Sequence, residues 1–323
     1  MIGCVSDDRR SRGPSASSGS PLPAAAEGPV PLFRSLRPAQ WSKNVFVLAP
    51  ATFAGSLLDR GTLEASAIAF LAFCAAASAV YLFNDLRDRE QDRRHPRKRL
   101  RPVASGALGA VPAAATGAAL AAAALIAAWT LNRETALLVG LYLLANLLYS
   151  LWLKEIVIVD VMVLASGYVI RVVVGAAAVG VTVSAWLLLC TVFLSLFLGF
   201  SKRRHELVLL PDDAGEQRAV LDHYSPTFLD QMMNVVTAST LLSYALYTTA
   251  DETVMRFGDY GLVWTVPFVL FGIFRYLYLI HKADNPKQRN PTELLLYDVP
   301  FLVNVGLYAL AVFLIVYLRG PAQ

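Results

Sequence analysis

One run of this 323-residue sequence has the residue types and spacing of a catalytic site. The run NDLRDREQD places Asn84, Asp85, Asp88 and Asp92 in the last turns of a predicted helix. Its three aspartates share one face, because an α-helix turns about 100° per residue. A bound cation relieves the repulsion between them, and Mg²⁺ prefers carboxylates together with substrate phosphates. The spacing therefore predicts that Asp85, Asp88 and Asp92 bind Mg²⁺ and that Asn84 adds a neutral oxygen.

A less specific interpretation of the same run is a solvated helix at a membrane surface. The aspartates would then pair with the neighbouring arginines Arg87, Arg89 and Arg93 along the helix. Such a helix would bind no metal. The spacing alone leaves both interpretations open.

Basic residues follow the acids directly in the same loop. Lys98, Arg99 and Arg101 come a few residues after Asp92. A basic loop alone could serve only to contact anionic lipid head groups. The order of acids and then bases places a metal site beside a phosphate site, which suits a diphosphate whose oxygens contact both metal and guanidinium groups.

The composition places these residues in a membrane protein. The sequence is 56% hydrophobic and 16% charged, with a mean hydropathy of +0.51, whereas about a quarter of the residues of a soluble protein carry charge. This excludes a soluble domain, a nucleic-acid binder and a secreted disulfide scaffold. Cys74 and Cys190 lie in apolar runs and Cys4 in a polar tail, so no disulfide framework is indicated.

We predict an all-α polytopic membrane protein with about nine spans, because apolar runs of roughly 15 to 25 residues can each cross about 30 Å of hydrocarbon. The predicted spans are 44–58, 63–83, 107–129, 135–153, 156–180, 183–200, 230–249, 260–280 and 299–318. Residues 1–33, rich in Gly, Pro and Ser, are predicted to be a disordered cytoplasmic tail. Residues 34–320 would form one transmembrane catalytic domain.

The basic residues predict the orientation. Of the 28 Lys and Arg residues, 22 fall on one side of the predicted spans, four on the other and two within spans. The positive-inside rule then places the N-terminus and all the long loops in the cytoplasm.

These motifs resemble a known family. The NDxxDxxxD run at the end of the second span is similar to the first aspartate-rich motif of the UbiA superfamily of intramembrane prenyltransferases. RPAQWSKN (37–44), HPRKRLRP (95–102) and SGYVIRVVVG (166–175) resemble the branch that transfers phosphoribose to a polyprenyl phosphate. The second acidic motif usual in the superfamily is reduced here to Lys154, Glu155 and Asp160.

The resemblance implies helices around a central cavity open to the bilayer, in a plasma-membrane enzyme whose active site faces the cytoplasm. It implies Mg²⁺-dependent transfer of 5-phosphoribose from phosphoribosyl diphosphate to a decaprenyl-type phosphate for cell-wall arabinan synthesis, and it leaves room for a homo-oligomer. The residues that it implies beyond the aspartates are Lys43, Lys98, Arg99, Arg101 and Lys154 for phosphates, Asp160 from the second motif, and Lys202 and Arg203 from the opposite side.

Arg171 lies some 15 residues inside the fifth span and must face the protein interior. It is either a structural tie or a ligand of the lipid phosphate. Other activities also remain open. The first is alkylation of an aromatic acceptor by a prenyl diphosphate, against which the reduced second motif argues. The others are a lipid or metabolite transporter and a multispan scaffold.

Overall fold

The computed structural model describes residues 29–95, 98–209, 219–257, 260–282 and 297–318, and these residues form helices and turns with no strand among them. The N-terminal half contains α1 (Pro29–Leu36), a 3₁₀ helix (Pro38–Leu48), α2 (Ala49–Phe53), α3 (Arg60–Arg87), α4 (Arg89–Arg94), a 3₁₀ turn (Lys98–Leu100), α5 (Pro102–Ser105), α6 (Ala110–Leu131) and α7 (Arg133–Leu151). The C-terminal half contains a 3₁₀ turn (Leu153–Glu155), α8 (Val159–Val179), α9 (Ala185–Leu209), a 3₁₀ turn (Ala219–His223), α10 (Pro226–Thr249), α11 (Asp251–Phe257), a 3₁₀ turn (Gly261–Thr265), α12 (Val266–Lys282), α13 (Val299–Phe313) and a π-helical turn (Leu314–Leu318).

Seven helical stretches of the described chain are long and apolar enough to cross a bilayer. They are Arg60–Arg87, Ala110–Leu131, Arg133–Leu151, Val159–Val179, Ala185–Val208, Gly261–Lys282 and Val299–Tyr317. The protein is therefore an all-helical, multi-pass membrane protein, as the sequence predicts. The total of nine spans and the cytoplasmic side of the N-terminus stay predictions.

The two predicted spans outside this set, 44–58 and 230–249, differ from the others in structure and composition. Residues 38–48 form a 3₁₀ helix that continues into the short α2. Since a 3₁₀ helix rises about 2.0 Å per residue, this segment extends about 22 Å without being an α-helix. The second lies within α10, a 24-residue helix with many Ser and Thr residues, of which Ser239 and Thr240 bond carbonyls of their own helix.

Helix α3 lies at the centre of the N-terminal half, where it packs against α6, α7 and α8. Small residues such as Ala69, Ala72 and Ala76 are fully buried along it, which allows neighbouring helices to approach closely. Helices α9 and α10 pack together with α8 around Phe197, Leu229 and Met233. The C-terminal part of α3, which carries Asp85, is thus packed against several helices at once.

The 3₁₀ segment is seated on α8 at a glycine. A side-chain carbon added to Gly175 would lie 1.9 Å from the carbonyl oxygen of Val47, a distance that no Cβ could occupy. The absent side chain lets the two backbones touch. This contact holds Lys43 and Asn44 beside the middle of α8.

The described chain begins with α1 at Pro29, so this helix crosses the predicted tail boundary at residue 33. Leu32 and Leu36 pack against a buried cluster that contains Leu82 and Val103. This packing ties α1 to α3. Residues 1–28 of the predicted tail lie outside the described residues.

Candidate active site

Asp85 lies at the centre of the charged cluster at the end of α3. Its side chain is buried and contacts two guanidinium groups, Arg37 through Nη2 and Arg101 through Nη1, the latter at 3.2 Å. The same Nη1 of Arg101 donates to Asp92 Oδ2 at 2.7 Å. The turn after α3 brings the acids of α3 and α4 against the basic residue that opens α5.

The other two residues of the acidic run point to a different partner helix. Asp88 accepts a hydrogen bond from Lys154 Nζ at 3.0 Å, and Asn84 Oδ1 accepts one from the Ser150 hydroxyl. Both partners lie at the end of α7 or just beyond it. The reduced second motif therefore contacts the first motif directly through Lys154, whose phosphate-binding role stays a prediction.

The three aspartates do not converge on one point. Within the described ranges, no three His, Cys, Asp or Glu side chains are grouped closely enough to hold a metal among themselves. Asp85 and Asp92 instead share one cationic nitrogen, Arg101 Nη1. Two carboxylates that hold one positive centre fit a Mg²⁺ ion whose remaining ligands come from substrate phosphate. The donor set thus fits a metal shared with a diphosphate, and not a site built by protein alone.

Of the basic residues after the acidic run, Arg101 contacts the carboxylates and Arg99 is exposed. The backbone N–H of Lys98 donates to His95 Nδ1 at 3.3 Å, so His95 caps the turn there. Arg99 is therefore open to solvent at the edge of the cluster, and the structure leaves its predicted phosphate role a prediction.

A buried ion pair lies between α8 and α9. Arg203 Nε lies 2.7 Å from Asp160 Oδ2, and neither side chain is exposed. Since the N–H does not point along the line to this oxygen, the contact is a close charge pair without an aligned hydrogen bond. Arg203 also contacts Glu206 and donates to the Tyr149 hydroxyl at 3.2 Å. The pair thus joins α7, α8 and α9.

Lys202, by contrast, is about half exposed and lies 4.0 Å from Glu206. Adjacent residues on a helix point about 100° apart, so Lys202 and Arg203 cannot both face the interior. Arg203 is engaged by protein acids, and the expectation that both residues close the site from the opposite side stays a prediction.

Tyr224 is a residue that the sequence analysis missed. Its hydroxyl donates to Asp160 Oδ1 at 2.7 Å and accepts the backbone N–H of Ile158 at 2.6 Å. Ile158 has a φ of 69°, an unusual value for a β-branched residue, at the start of α8. Burial and the hydrogen bond to Asp160 raise the pKa of Tyr224 above its usual range. Tyr224 thus fixes both the strained turn and the carboxylate.

Arg171 is buried among polar and aromatic groups in the middle of α8. Its Nε donates to Asn44 Oδ1 at 2.8 Å, Nη1 to the Gly167 carbonyl at 2.7 Å and Nη2 to the Tyr142 hydroxyl at 3.2 Å. Arg171 thus faces the protein interior, as predicted. No acidic side chain of the described residues forms an ion pair with it.

Lys43 lies on the 3₁₀ segment close to Arg171. Its side chain is partly buried. Burial and the positive charges of Arg171 and Arg37 lower the pKa of Lys43 to about 8. The neighbouring Trp41 donates its indole N–H to Ser78 at 3.1 Å and so ties this segment to α3.

The chain that carries this charged cluster is similar to known proteins over most of its length. The UbiA prenyltransferase family model matches residues 47–317. The chain belongs to this family. It is 34% identical over 272 residues to decaprenyl-phosphate phosphoribosyltransferase of Corynebacterium glutamicum, which covers 83% of this chain and 81% of that protein. The enzyme of the same name from Mycobacterium tuberculosis is 36% identical over 247 residues, with 75% of this chain and 81% of that protein covered.

Solved UbiA structures share the fold. A UbiA homologue from Archaeoglobus fulgidus bound to GPP and Mg²⁺ superposes with a TM-score of 0.69 at 18% identity, covering 88% of this chain and 99% of that chain. The expected UbiA fold is thus confirmed. The protein is a transferase of this family, as its sequence motifs predict.

Proposed function

We propose that this protein transfers 5-phosphoribose from phosphoribosyl diphosphate to a polyprenyl phosphate of the decaprenyl type, with Mg²⁺ as cofactor. The observation that carries the proposal is the cluster of Asp85 and Asp92 around one nitrogen of Arg101. Carboxylates and guanidinium groups in contact can exchange partners when a metal diphosphate binds. The names of the relatives from Corynebacterium and Mycobacterium support phosphoribose as the transferred group and decaprenyl phosphate as the acceptor.

The main barrier in such a reaction is loss of the diphosphate from C1 of the ribose. The C1–oxygen bond to diphosphate breaks, diphosphate leaves with the electron pair, and a new bond forms between C1 and an oxygen of the lipid phosphate. Mg²⁺ bound at Asp85 and Asp92 with Asp88 nearby would neutralise charge on the leaving diphosphate. The acceptor phosphate is already ionised at neutral pH, so no strong general base is needed.

Basic side chains would supply the rest of the electrostatic stabilisation. Arg37 and Arg101 already lie against the carboxylates, and Lys154 lies against Asp88. Lys98 and Arg99, on the 3₁₀ turn beside them, would contact the outer phosphates of the donor. Asp160 and Arg203 form the buried wall that holds the second motif in place.

We place this site at the cytoplasmic face of the plasma membrane, since the donor is a water-soluble sugar of the cytosol. The distribution of Lys and Arg over the loops supports this orientation. The lipid acceptor would enter sideways from the bilayer. A homo-oligomer is compatible with this arrangement.

The experiment that tests the function uses the purified full-length protein in detergent with Mg²⁺, decaprenyl phosphate and phosphoribosyl diphosphate labelled in the ribose. Label that appears in the lipid phase supports the proposal. Label that stays in the aqueous phase contradicts it. A parallel reaction with geranyl diphosphate and an aromatic acceptor tests the rival prenyl transfer. Asp85→Asn is the inactive control, and Glu64→Gln, at the exposed opposite end of α3, is the active one.

A further inference from the structure

Three cationic side chains lie at successive depths along α3. Arg37 contacts Asp85 and stacks over the Tyr81 ring at 4.8 Å, near the end of the helix. Arg171 stacks over the Phe73 ring at 5.1 Å, further along. The interval from residue 85 to residue 73 corresponds to about 18 Å, because an α-helix rises 1.5 Å per residue.

Lys43 lies between these two levels. Trp41, two residues before Lys43, bonds Ser78. Asn44, the residue after Lys43, donates to Cys74 Sγ at 3.2 Å. These contacts place Lys43 between about 10 and 16 Å below Asp85 along α3. The backbone of Lys43 thus lies about two to three helical turns from Asp85, beside the middle of α3.

The partners of the three cations differ. Arg37 has a carboxylate partner. Arg171 has only neutral ones, namely an amide oxygen, a carbonyl and a hydroxyl. In the described part of the chain, Lys43 has neither a hydrogen-bond nor an ion-pair partner. Lys43 adjoins Asn44, which bonds Arg171, and the positive charge of Arg171 acts on it. Two positive charges near each other, with no acidic side chain of the described residues paired to either, are costly unless an anion binds there.

We propose that Lys43 and Arg171 form the binding site for the phosphate group of the lipid acceptor. This inference rests on the proposed function and deepens it. Arg171 has five N–H donors, of which three bond protein groups, so it can still donate to an anion. The family resemblance implies that Lys43 binds phosphates of the sugar donor, whereas its position beside Arg171 favours the acceptor.

The surroundings of the two cations support a lipid over a sugar phosphate. Phe73, Tyr142 and Tyr168 present their rings to Arg171, and Phe46 lies edge-on to Tyr168 at 5.3 Å. A polyprenyl phosphate brings one charged group on an apolar chain, which matches one pair of cations among aromatic rings. The donor diphosphate at Asp85 and the acceptor phosphate below it would then lie on opposite sides of C1, as an in-line displacement requires.

Binding measurements on the purified full-length protein, without Mg²⁺ or donor, test this site. Farnesyl phosphate serves as a short acceptor analogue, farnesol as its uncharged counterpart and ribose 5-phosphate as a phosphate monoester from the donor side. Lys43→Met should weaken farnesyl phosphate binding about ten- to a hundredfold, the loss expected for one charge-assisted hydrogen bond, and leave farnesol and ribose 5-phosphate unchanged. Lys43→Arg should restore most of the affinity. Lys282→Met, at an exposed lysine, is the matched control and should bind as the unmodified protein does.

Three results would overturn the inference. Weaker binding of ribose 5-phosphate alone would assign Lys43 to the donor. Equal losses for all three probes would show a structural role, and no loss for any probe would show that no phosphate binds at Lys43. The function itself is tested separately, by label transfer in the unmodified protein. If the unmodified protein transfers label and Lys43→Met still binds farnesyl phosphate normally, this site is refuted and the activity is not.

Discussion

Asp160 and Arg203 are both fully buried and face each other at 2.7 Å, although they belong to different helices. A charge left alone in such a place is expensive, so the two residues depend on each other. Tyr224 completes the group by donating to the free oxygen of Asp160. The reduced second motif is therefore part of a buried charge network that holds α8 against α9.

Asp160→Asn should destabilise the protein by about 3 to 5 kcal/mol, because it leaves the Arg203 charge buried with only Glu206 opposite. The thermal unfolding midpoint in detergent measures this. The double variant Asp160→Asn with Arg203→Met removes both charges and should be more stable than the single variant. A double variant that is less stable than both single variants would show that the two residues do not act as a pair.

Asp85→Asn should lower turnover by at least about a hundredfold and weaken the dependence on Mg²⁺, because it removes a carboxylate that the metal would use. A Mg²⁺ titration of initial rate, with folding checked by size-exclusion chromatography, measures both effects. Glu64→Gln alters an exposed ion pair on the same helix and should change neither. Full activity of Asp85→Asn at saturating Mg²⁺ would rule out the metal role.

Activity should fall at alkaline pH through Lys43. Burial and nearby positive charge lower the pKa of Lys43 to about 8, so the charged form that binds phosphate is lost as the pH rises through that value. The value of kcat/KM for the lipid acceptor should therefore decrease above about pH 8. Lys43→Arg should move the decrease to higher pH, since arginine stays charged. An unchanged pH profile in that variant would mean that another group controls the decrease.

The same lowered pKa of Lys43 makes a rise in pH favour the folded protein, although it lowers activity. The lowered pKa means that the folded protein binds a proton at Lys43 less readily than the unfolded chain does. Between about pH 8 and the usual lysine pKa, the unfolded chain therefore holds more protons at this site, and the contribution of Lys43 to the free energy of unfolding rises with pH. Loss of activity above pH 8 would thus not reflect unfolding caused by Lys43.

Gly175→Ala should destabilise the protein by about 1 to 3 kcal/mol, because the new methyl group would overlap the Val47 carbonyl. The displaced 3₁₀ segment should also raise the KM for the lipid acceptor more than that for the sugar donor. Gly306→Ala in α13 has open space around it and serves as the control. It should keep the unfolding midpoint or raise it slightly, since alanine favours helix over glycine.

The orientation of the chain predicts the labelling of introduced cysteines. Ser105→Cys, at an exposed position after the basic loop, should resist an impermeant thiol reagent in intact cells and react after lysis. Arg60→Cys, at the exposed start of α3, should react in intact cells. The reverse pattern would invert the topology and remove the site from the cytosolic sugar donor.

Much of the fold follows from the sequence because hydrophobic run length is a direct consequence of bilayer thickness. The segments at 38–53 and 226–249 differ from the other predicted spans for different reasons. Run length does not distinguish a 3₁₀ helix from an α-helix. Residues 226–249 do form a helix, as predicted for 230–249, but its Ser and Thr residues, such as Thr240, make α10 less apolar than the seven candidate spans.

The sequence predicts which site residues lie near each other within one segment of the chain, but not which distant segments they contact. Helical spacing places Asp85 and Asp92 together, and the order of the motifs brings Arg101 close to them. The contact of Arg37 with Asp85 joins residues 48 positions apart, and that of Tyr224 with Asp160 joins residues 64 apart. Periodicity indicates which face a residue occupies and not which helix lies opposite it, so these partners needed the structure.

The 3₁₀ winding of residues 38–48 gives that segment three distinct edges, since side chains at i and i+3 are eclipsed. The exposed edge consists of Ala39, Ser42 and Val45. The second edge, partly to fully buried, consists of Trp41, Asn44 and Val47. The third, partly buried, consists of Gln40, Lys43 and Phe46. The third edge is a straight column that changes from an amide through an ammonium group to a phenyl ring. Inserting a single residue ahead of Lys43 would turn it by about 120° onto another edge, so the length of this segment matters as much as its residue types.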